Sequence, residues 1–173
     1  MVETAEYTVI RKKDEFEIRK YPKMLVATVR SGADSRFNHL FRYISGENKS
    51  KTKISMTSPV ITSEEIPMTA PVISSGETMS FVVPSKYNIE TVPTPSDSRV
   101  IIEESPERFI ATVRFRGFAW KDEVEKQKKK LYAWLEAENI SATSAPFLMQ
   151  YNPPFLPGFM RRNEIGIEIE YEG

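Results

Sequence analysis

The sequence contains no cysteine and one histidine among its 173 residues. The absence of cysteine excludes disulfides, thiol nucleophiles, iron–sulfur clusters and the common cysteine-based zinc sites. With a single imidazole, one chain cannot form a metal site with two histidine ligands. A Ser-His-Asp triad would have to use that one side chain, His39.

Neither a strong positive charge nor a long hydrophobic run is present. The 24 Lys and Arg residues balance 24 Asp and Glu residues, and the isoelectric point is about 6.6, which argues against a nucleic-acid binder that neutralises phosphates. No apolar run approaches the ~18 residues of a membrane helix, and the N-terminal segment lacks the basic and apolar regions of a signal peptide. The sequence therefore predicts a soluble, cytoplasmic protein without a membrane span.

The chain contains an internal repeat. Pro22 aligns with Pro106, 84 positions later, and Ala-Thr-Val-Arg at 27–30 aligns with the same four residues at 111–114. Each copy predicts a strand, a proline-containing turn and a second strand, followed by a helix. An N-cap signal at 31–34 precedes the first helix. We expect one domain, residues 1–173, with internal halves at about 7–84 and 99–171.

Each half also ends in a strand, which determines the expected fold class. The first half ends with Met79–Val83, and in the second Ile165, Ile167 and Ile169 alternate with Glu164, Gly166 and Glu168, predicting one buried and one exposed face. A shorter repeat at 56–61 and 68–73 contains prolines that interrupt strand pairing. The prediction is an α+β fold: a distorted antiparallel β-barrel of two pseudo-symmetric βαβ-type halves with two flanking α-helices.

The first helix, predicted from about Ser35 to Ser45, carries two stripes. The pattern predicts a buried face, and it places His39 with Arg36 and Tyr43 on a second, outward stripe. This stripe is either an ordinary surface or an aromatic, cationic platform for a ligand. The residues predicted for the buried face are Phe37, Leu40, Phe41 and Ile44.

A late segment, 151–163, is unusually apolar for a loop. Three prolines stiffen it, and Gly158 provides a hinge. Its large apolar residues either fill the end of the barrel or form one wall of a hydrophobic groove, with Arg161 and Arg162 at the rim. These apolar residues are Phe155, Leu156, Phe159 and Met160. By contrast, no glycine-rich phosphate loop or serine elbow is present.

Several segments together resemble the SOUL haem-binding family, in particular its prokaryotic members. The segments are Lys53–Val60, Met68–Val72, Met79–Tyr87, Tyr151–Pro154 and Arg161–Glu164, and the resemblance extends from about Tyr7 to Glu170. It implies the two-half barrel and an open apolar groove for haem or other tetrapyrroles, between the first helix and the late loop. Transferred to this sequence, the groove residues are Arg36, His39, Leu40 and Tyr43 on the helix, with Phe155, Leu156, Phe159 and Met160 in the loop.

The expected function is that of a non-enzymatic haem buffer, scavenger or carrier. Its partner would be haem or another porphyrin, not nucleic acid, and the sequence identifies no protein partner. The family has no invariant axial ligand, so His39 as the iron ligand is an inference from this sequence alone. Two alternatives remain. One is a tetrapyrrole-processing enzyme that releases haem iron, with His39, Tyr43 and Glu168 as candidates, and the other is an effector-binding module for hydrophobic small molecules.

Overall fold

The computed structural model describes residues 3–30, 36–64, 77–152 and 155–172. These residues form ten strands, two α-helices and one 3-10 helix, which confirms the α+β class. The capping signal at 31–34 and the second copy of the short repeat, at 68–73, lie outside the described residues. The strands are β1 (Glu3–Thr4), β2 (Thr8–Lys13), β3 (Phe16–Tyr21), β4 (Met24–Val29), β5 (Thr57–Glu64), β6 (Glu77–Val82), β7 (Val100–Ser105), β8 (Arg108–Arg116), β9 (Phe147–Gln150) and β10 (Arg162–Ile169). The helices are α1 (Arg36–Ile44), α2 (Lys121–Ala137) and the 3-10 helix Gly158–Met160.

The chain divides into two compact units. Unit 1 comprises the described residues of Met1–Ala5 and Lys23–Pro106, and unit 2 those of Glu6–Pro22 and Glu107–Gly173. In unit 1 the strand order is β5-β6-β4-β7, with β1 parallel to β5, and in unit 2 it is β2-β3-β8-β10-β9. Among the described strands, β2 and β7 each pair along one side only, so the predicted barrel is not confirmed.

Both units have the same internal arrangement. A central strand, β4 or β8, has antiparallel neighbours on both sides and is followed by the helix that packs on its sheet. In each unit, one neighbour of the central strand comes from the other half of the sequence. In unit 1 this neighbour is β7, which pairs with β4, and in unit 2 it is β3, which pairs with β8. The units are therefore not the contiguous halves of the sequence, and the expectation of a single domain stays a prediction.

Each unit has its own hydrophobic core between its sheet and its helix. In unit 2 the helix α2 buries Leu131, Trp134 and Leu135, and Trp134 stacks on Phe16 with ring centroids 4.9 Å apart. In unit 1, Leu40 and Ile44 of α1 pack on alternating residues of β4, namely Leu25, Ala27 and Val29. Among the described residues, neither α1 nor α2 is long and apolar enough to span a membrane.

Proline interrupts the pairing of β5, as the sequence predicts. The ladder between β5 and β6 shifts register between Thr57 and Val60, across Ser58 and Pro59. Proline has no N–H to donate, so a regular ladder cannot continue through this position.

The predicted exposed face of β10 is wrong at two positions. Ile165, Ile167 and Ile169 are buried as expected, but Glu164 and Gly166 are buried as well. β10 lies between β8 and β9, and the ring of Phe147 on β9 covers the backbone of Gly166. Since both faces of this strand are covered, simple alternation does not separate buried from exposed residues here.

Replacement of Gly166 by alanine tests this close approach. A Cβ at this position would lie 2.6 Å from the Phe147 ring and 3.0 Å from the Met149 methyl group. We expect Gly166→Ala to lower the free energy of unfolding by about 1–3 kcal/mol, measured by urea denaturation. Adding Phe147→Leu should recover part of that loss, because the smaller side chain frees the space. An unchanged unfolding midpoint for the single variant would contradict the packing.

Candidate ligand-binding site

The structure differs from the predicted faces of α1 at four positions. His39, Leu40 and Tyr43 are buried, with His39 only 4% exposed, whereas Phe37 and Phe41 are 44% and 49% exposed. The expected outward stripe of His39 and Tyr43 is therefore wrong, and so is the expected burial of the two phenylalanines. Leu40 and Ile44 keep their predicted places in the core.

Hydrogen bonds explain why the polar aromatic residues of α1 are inside. The Tyr43 hydroxyl donates to the carbonyl oxygen of Pro93 at 2.5 Å, and burial raises the pKa of Tyr43 to about 12. His39 Nδ1 lies 3.1 Å from a carboxylate oxygen of Asp97 and 2.7 Å from the Arg42 guanidinium. A buried polar group costs little when it has such partners, so these rings can replace phenylalanine in the interior.

The exposed face of α1 is aromatic. The rings of Phe37 and Phe41 stack with centroids 6.0 Å apart, and Phe37 also contacts the buried Phe81 ring edge-on at 5.4 Å. Phe81 thus holds one end of this pair against the core of unit 1. The large apolar side chains of α1 that a ligand can reach are consequently Phe37 and Phe41, which the sequence assigned to the core.

The late loop exposes its apolar side chains. Phe155 is 84% exposed, Phe159 is 74% exposed and Met160 is 55% exposed, while Leu156 is half-buried. The interpretation that these residues fill the end of a barrel is therefore wrong for the three exposed side chains. The wall of an apolar groove remains the open interpretation. Pro153 and Pro154 lie outside the described residues.

Two further aromatic side chains, missed in the sequence, extend this apolar surface. Phe118 is exposed and lies against Gly158, where a Cβ would be 3.0 Å from the ring, and Trp120 is 70% exposed with its ring 5.7 Å from Phe118. The guanidinium of Arg161 lies over the Phe118 ring at 4.5 Å. We call Phe118, Trp120, Phe155, Phe159 and Met160 the aromatic patch of unit 2. The signal in the sequence was Phe118-Ala119-Trp120, three apolar residues between β8 and α2.

A buried ion pair, also missed, lies behind the late loop. Arg19 on β3 and Glu164 on β10 are both fully buried and form two hydrogen bonds, of 2.7 and 2.5 Å. Glu17 accepts a third hydrogen bond from Arg19 at 3.1 Å, and Arg19 lies over the ring of Tyr7 at 4.1 Å. Such a bidentate pair is the geometry in which arginine and a carboxylate compensate each other best.

The same carboxylate anchors both ends of the late loop. Tyr151, at the start of the loop, donates its hydroxyl hydrogen to Glu164 at 2.7 Å, and Arg162, near its end, donates to Glu164 at 3.1 Å. The backbone N–H of Tyr151 also donates to the carbonyl of Arg162 at 3.3 Å. The loop is thus closed at its base, while Phe155, Phe159 and Met160 between its ends are exposed.

These charges do not form an acid–base pair for catalysis. Burial alone raises the pKa of Glu164, but hydrogen bonds and positive charge from Arg19, with Tyr151 and Arg162, outweigh it and lower the pKa to about 2. Burial raises the pKa of Tyr151, whose hydroxyl therefore stays protonated as a donor. Glu164 is ionised and fully hydrogen-bonded at neutral pH. In the described residues no group of histidine or acidic side chains is arranged to hold a metal ion.

The helix α1 belongs to unit 1 and the late loop to unit 2. The groove that the family resemblance implies between them stays a prediction. Among the side chains expected to line it, Phe155, Phe159 and Met160 are accessible, whereas His39, Leu40 and Tyr43 are buried.

Comparison with known proteins identifies the family. A family model described as SOUL heme-binding protein matches residues 2–168. Heme-binding protein 2 of Homo sapiens is 30% identical over 158 residues, which cover 87% of this chain and 76% of the human protein. Heme-binding protein 1 of Xenopus laevis is 26% identical over 126 residues, covering 73% of this chain and 65% of the frog protein. The chain belongs to the SOUL heme-binding protein family, as the sequence motifs indicated.

Two solved structures share the fold. The C-terminal domain of EcmrR has a TM-score of 0.61 at 14% identity, with 95% of this chain and 98% of that chain covered. A hydrolase from Listeria innocua has a TM-score of 0.64 at 13% identity, with 93% and 94% covered. At such identities the likeness concerns the fold alone.

Acid titration of unfolding tests the role of Glu164. Its pKa is about 2 in the folded chain and about 4.5 when unperturbed, so the unfolded chain binds the proton more readily. The stability that ionised Glu164 contributes is complete above about pH 5 and is lost as the pH falls towards 2. We expect Glu164→Gln to lower the free energy of unfolding by about 3–5 kcal/mol at neutral pH and to reduce the acid-dependent loss.

Glu168→Gln is the matched control, because this residue lies on the same strand with a half-exposed side chain 3.6 Å from Arg108. Its effect should stay within about 1 kcal/mol, as for other surface ion pairs. Equal losses in both variants, measured by urea denaturation across the pH range, would contradict a special role for Glu164.

Proposed function

We propose that this protein binds haem and related porphyrins reversibly, as a haem buffer, scavenger or carrier. The observation that carries the proposal is the exposure of Phe155, Phe159 and Met160 in a loop whose base is anchored by Glu164. Clustered large apolar side chains on a protein surface mark sites that a ligand or partner covers. Membership of the SOUL heme-binding protein family supplies the class of ligand.

The chemistry of the late loop fits a flat amphipathic ring. Phe155, Phe159 and Met160 offer apolar contact to a macrocycle, and the aromatic rings can stack on it. Arg161, held by its hydrogen bond to the carbonyl of Leu156 at 2.8 Å, places a cation beside this surface. A guanidinium in that position pairs well with the propionate groups that haem carries.

The size of the contact agrees with reversible binding. Covering on the order of 300 Å² of porphyrin at ~25 cal/mol/Å² stabilises the complex by roughly 7 kcal/mol. Pairing with the propionates adds to this, and the entropy lost on association opposes it. The resulting dissociation constant is in the micromolar range, about what a buffer or carrier needs to release its ligand.

The helix α1 contributes differently from the sequence-based expectation. Phe37 and Phe41 are accessible and stacked, and they are the side chains of α1 that we propose for contact with the macrocycle. Leu40, His39 and Tyr43 reach a ligand only if the helix moves away from the core of unit 1, because all three are buried. Their direct participation stays a prediction, as does that of Arg36.

Serine substitutions in the late loop test the site. We expect the double variant Phe155→Ser/Phe159→Ser to weaken hemin binding by at least about tenfold, since each buried phenylalanine side chain is worth ~1.5–3 kcal/mol. The measurement is a titration followed by the Soret absorption band. Tyr132→Ser, which removes an exposed ring from α2, is the control and should leave the affinity unchanged.

The wild-type titration itself can overturn the proposal. A protein that shows no saturable Soret shift below about 50 μM hemin would not be a haem carrier of the proposed kind. Equal affinities of wild type and the loop double variant would remove the late loop from the site while leaving haem binding itself intact.

Comparison of hemin with metal-free protoporphyrin tests His39 as the iron ligand. Because the ring is buried and Nδ1 already contacts Asp97 and Arg42, we expect His39→Ala to change both affinities by less than about threefold while lowering stability. The measurement is paired titration of both ligands with folded variant protein. A loss confined to hemin would instead establish His39 as an axial ligand.

A further inference from the structure

We propose that the aromatic patch of unit 2, with the cations beside it, docks the protein on an anionic membrane surface. This inference does not depend on haem binding, because it concerns the contact of exposed apolar and basic side chains of unit 2 with a lipid bilayer. It uses Phe118 and Trp120 in addition to the residues of the late loop.

The patch is continuous within unit 2. The N–H of Gly117 donates to the carbonyl of Gly158 at 2.9 Å, which joins the end of β8 to the 3-10 helix of the late loop. Phe118 lies against Gly158, and Trp120 lies beside Phe118. The segment before α2 and the late loop consequently present their large side chains from adjoining backbone.

The charges beside the patch have one sign. The segments 114–121 and 155–162 contain no acidic residue, and their cations are Arg114, Arg116, Lys121, Arg161 and Arg162. Arg116 and Lys121 are exposed, whereas Arg114 and Arg162 also contact Glu164. The nearest acidic residues in the sequence are Asp122 and Glu123, in the first turn of α2, and the fully buried Glu164. The patch thus complements a negatively charged surface.

The shape of the patch favours a bilayer over a folded protein partner. Phe155, Phe159 and Trp120 are each at least 70% exposed, so their rings project into solvent. A bilayer admits such side chains one by one, and tryptophan in particular prefers the interface between headgroups and acyl chains. A rigid protein partner would need a matching cavity for every ring. Basic residues next to inserted apolar groups add attraction to anionic lipids.

Sedimentation with vesicles tests the proposal on the full chain without haem. We expect binding to vesicles of phosphatidylcholine and phosphatidylglycerol in equal parts, weak binding to phosphatidylcholine alone, and a decrease of the bound fraction as the salt concentration rises.

Phe155→Ser/Phe159→Ser should lower the partition coefficient at least about tenfold. Arg116→Glu/Lys121→Glu should lower it by about tenfold or more. The controls Tyr132→Ser and Lys126→Glu/Lys129→Glu, which alter the exposed face of α2, should stay within about twofold of wild type.

Fluorescence supplies a second readout. Trp120 is exposed and Trp134 is buried, so insertion should shift the emission to the blue in wild type but not in Trp120→Phe. The proposal is overturned if the protein does not sediment with anionic vesicles, if it binds neutral vesicles equally well, or if patch and control variants bind alike. Hemin titration without vesicles is a separate measurement, so failure here leaves the haem proposal standing, and the reverse also holds.

Discussion

The late loop of unit 2 depends on the buried pair of Arg19 and Glu164. Two charges shielded from water need hydrogen bonds to offset their lost hydration, and Glu164 accepts them from Arg19, Tyr151 and Arg162. Tyr151 and Arg162 lie at the start and near the end of the loop, so satisfying the carboxylate also closes the base of the loop.

Exposure of the loop connects this ion pair to the proposed haem site. Phe155 and Phe159 remain in solvent, which is unfavourable for large apolar side chains unless a ligand or surface covers them. On α1 a similar exchange occurs, because Tyr43 and His39 find polar partners in the core while Phe37 and Phe41 face outward. Both elements thus expose large aromatic side chains, which suit the flat apolar ligand that we propose.

Local patterns predicted the elements well but failed where polar residues are buried. The strands around Pro22 and Pro106, and the helix that follows each pair of strands, are present as the repeat predicts, although β3 also buries Glu17 and Arg19. On α1, the hydrophobic pattern placed the more apolar Phe37 in the core and Tyr43 outside. The carbonyl of Pro93, which accepts the hydrogen bond of the buried Tyr43 hydroxyl, is 50 residues away and does not enter such a pattern. Glu164 was misplaced for the same reason, since its partner Arg19 is 145 residues away.

The sequence by itself determined the class of fold, the positions of most strands and both helices, and the family. Those properties depend on residue periodicity and on motifs that lie close together along the chain. Only the tertiary structure decided that Phe118 and Trp120 extend the apolar surface of the late loop and that His39 is buried. It also decided that β3, from the first half of the sequence, pairs with β8, and that β7, from the second half, pairs with β4. The physical reason is that burial and pairing depend on which distant groups supply hydrogen bonds and contacts, and such partners are invisible to local patterns.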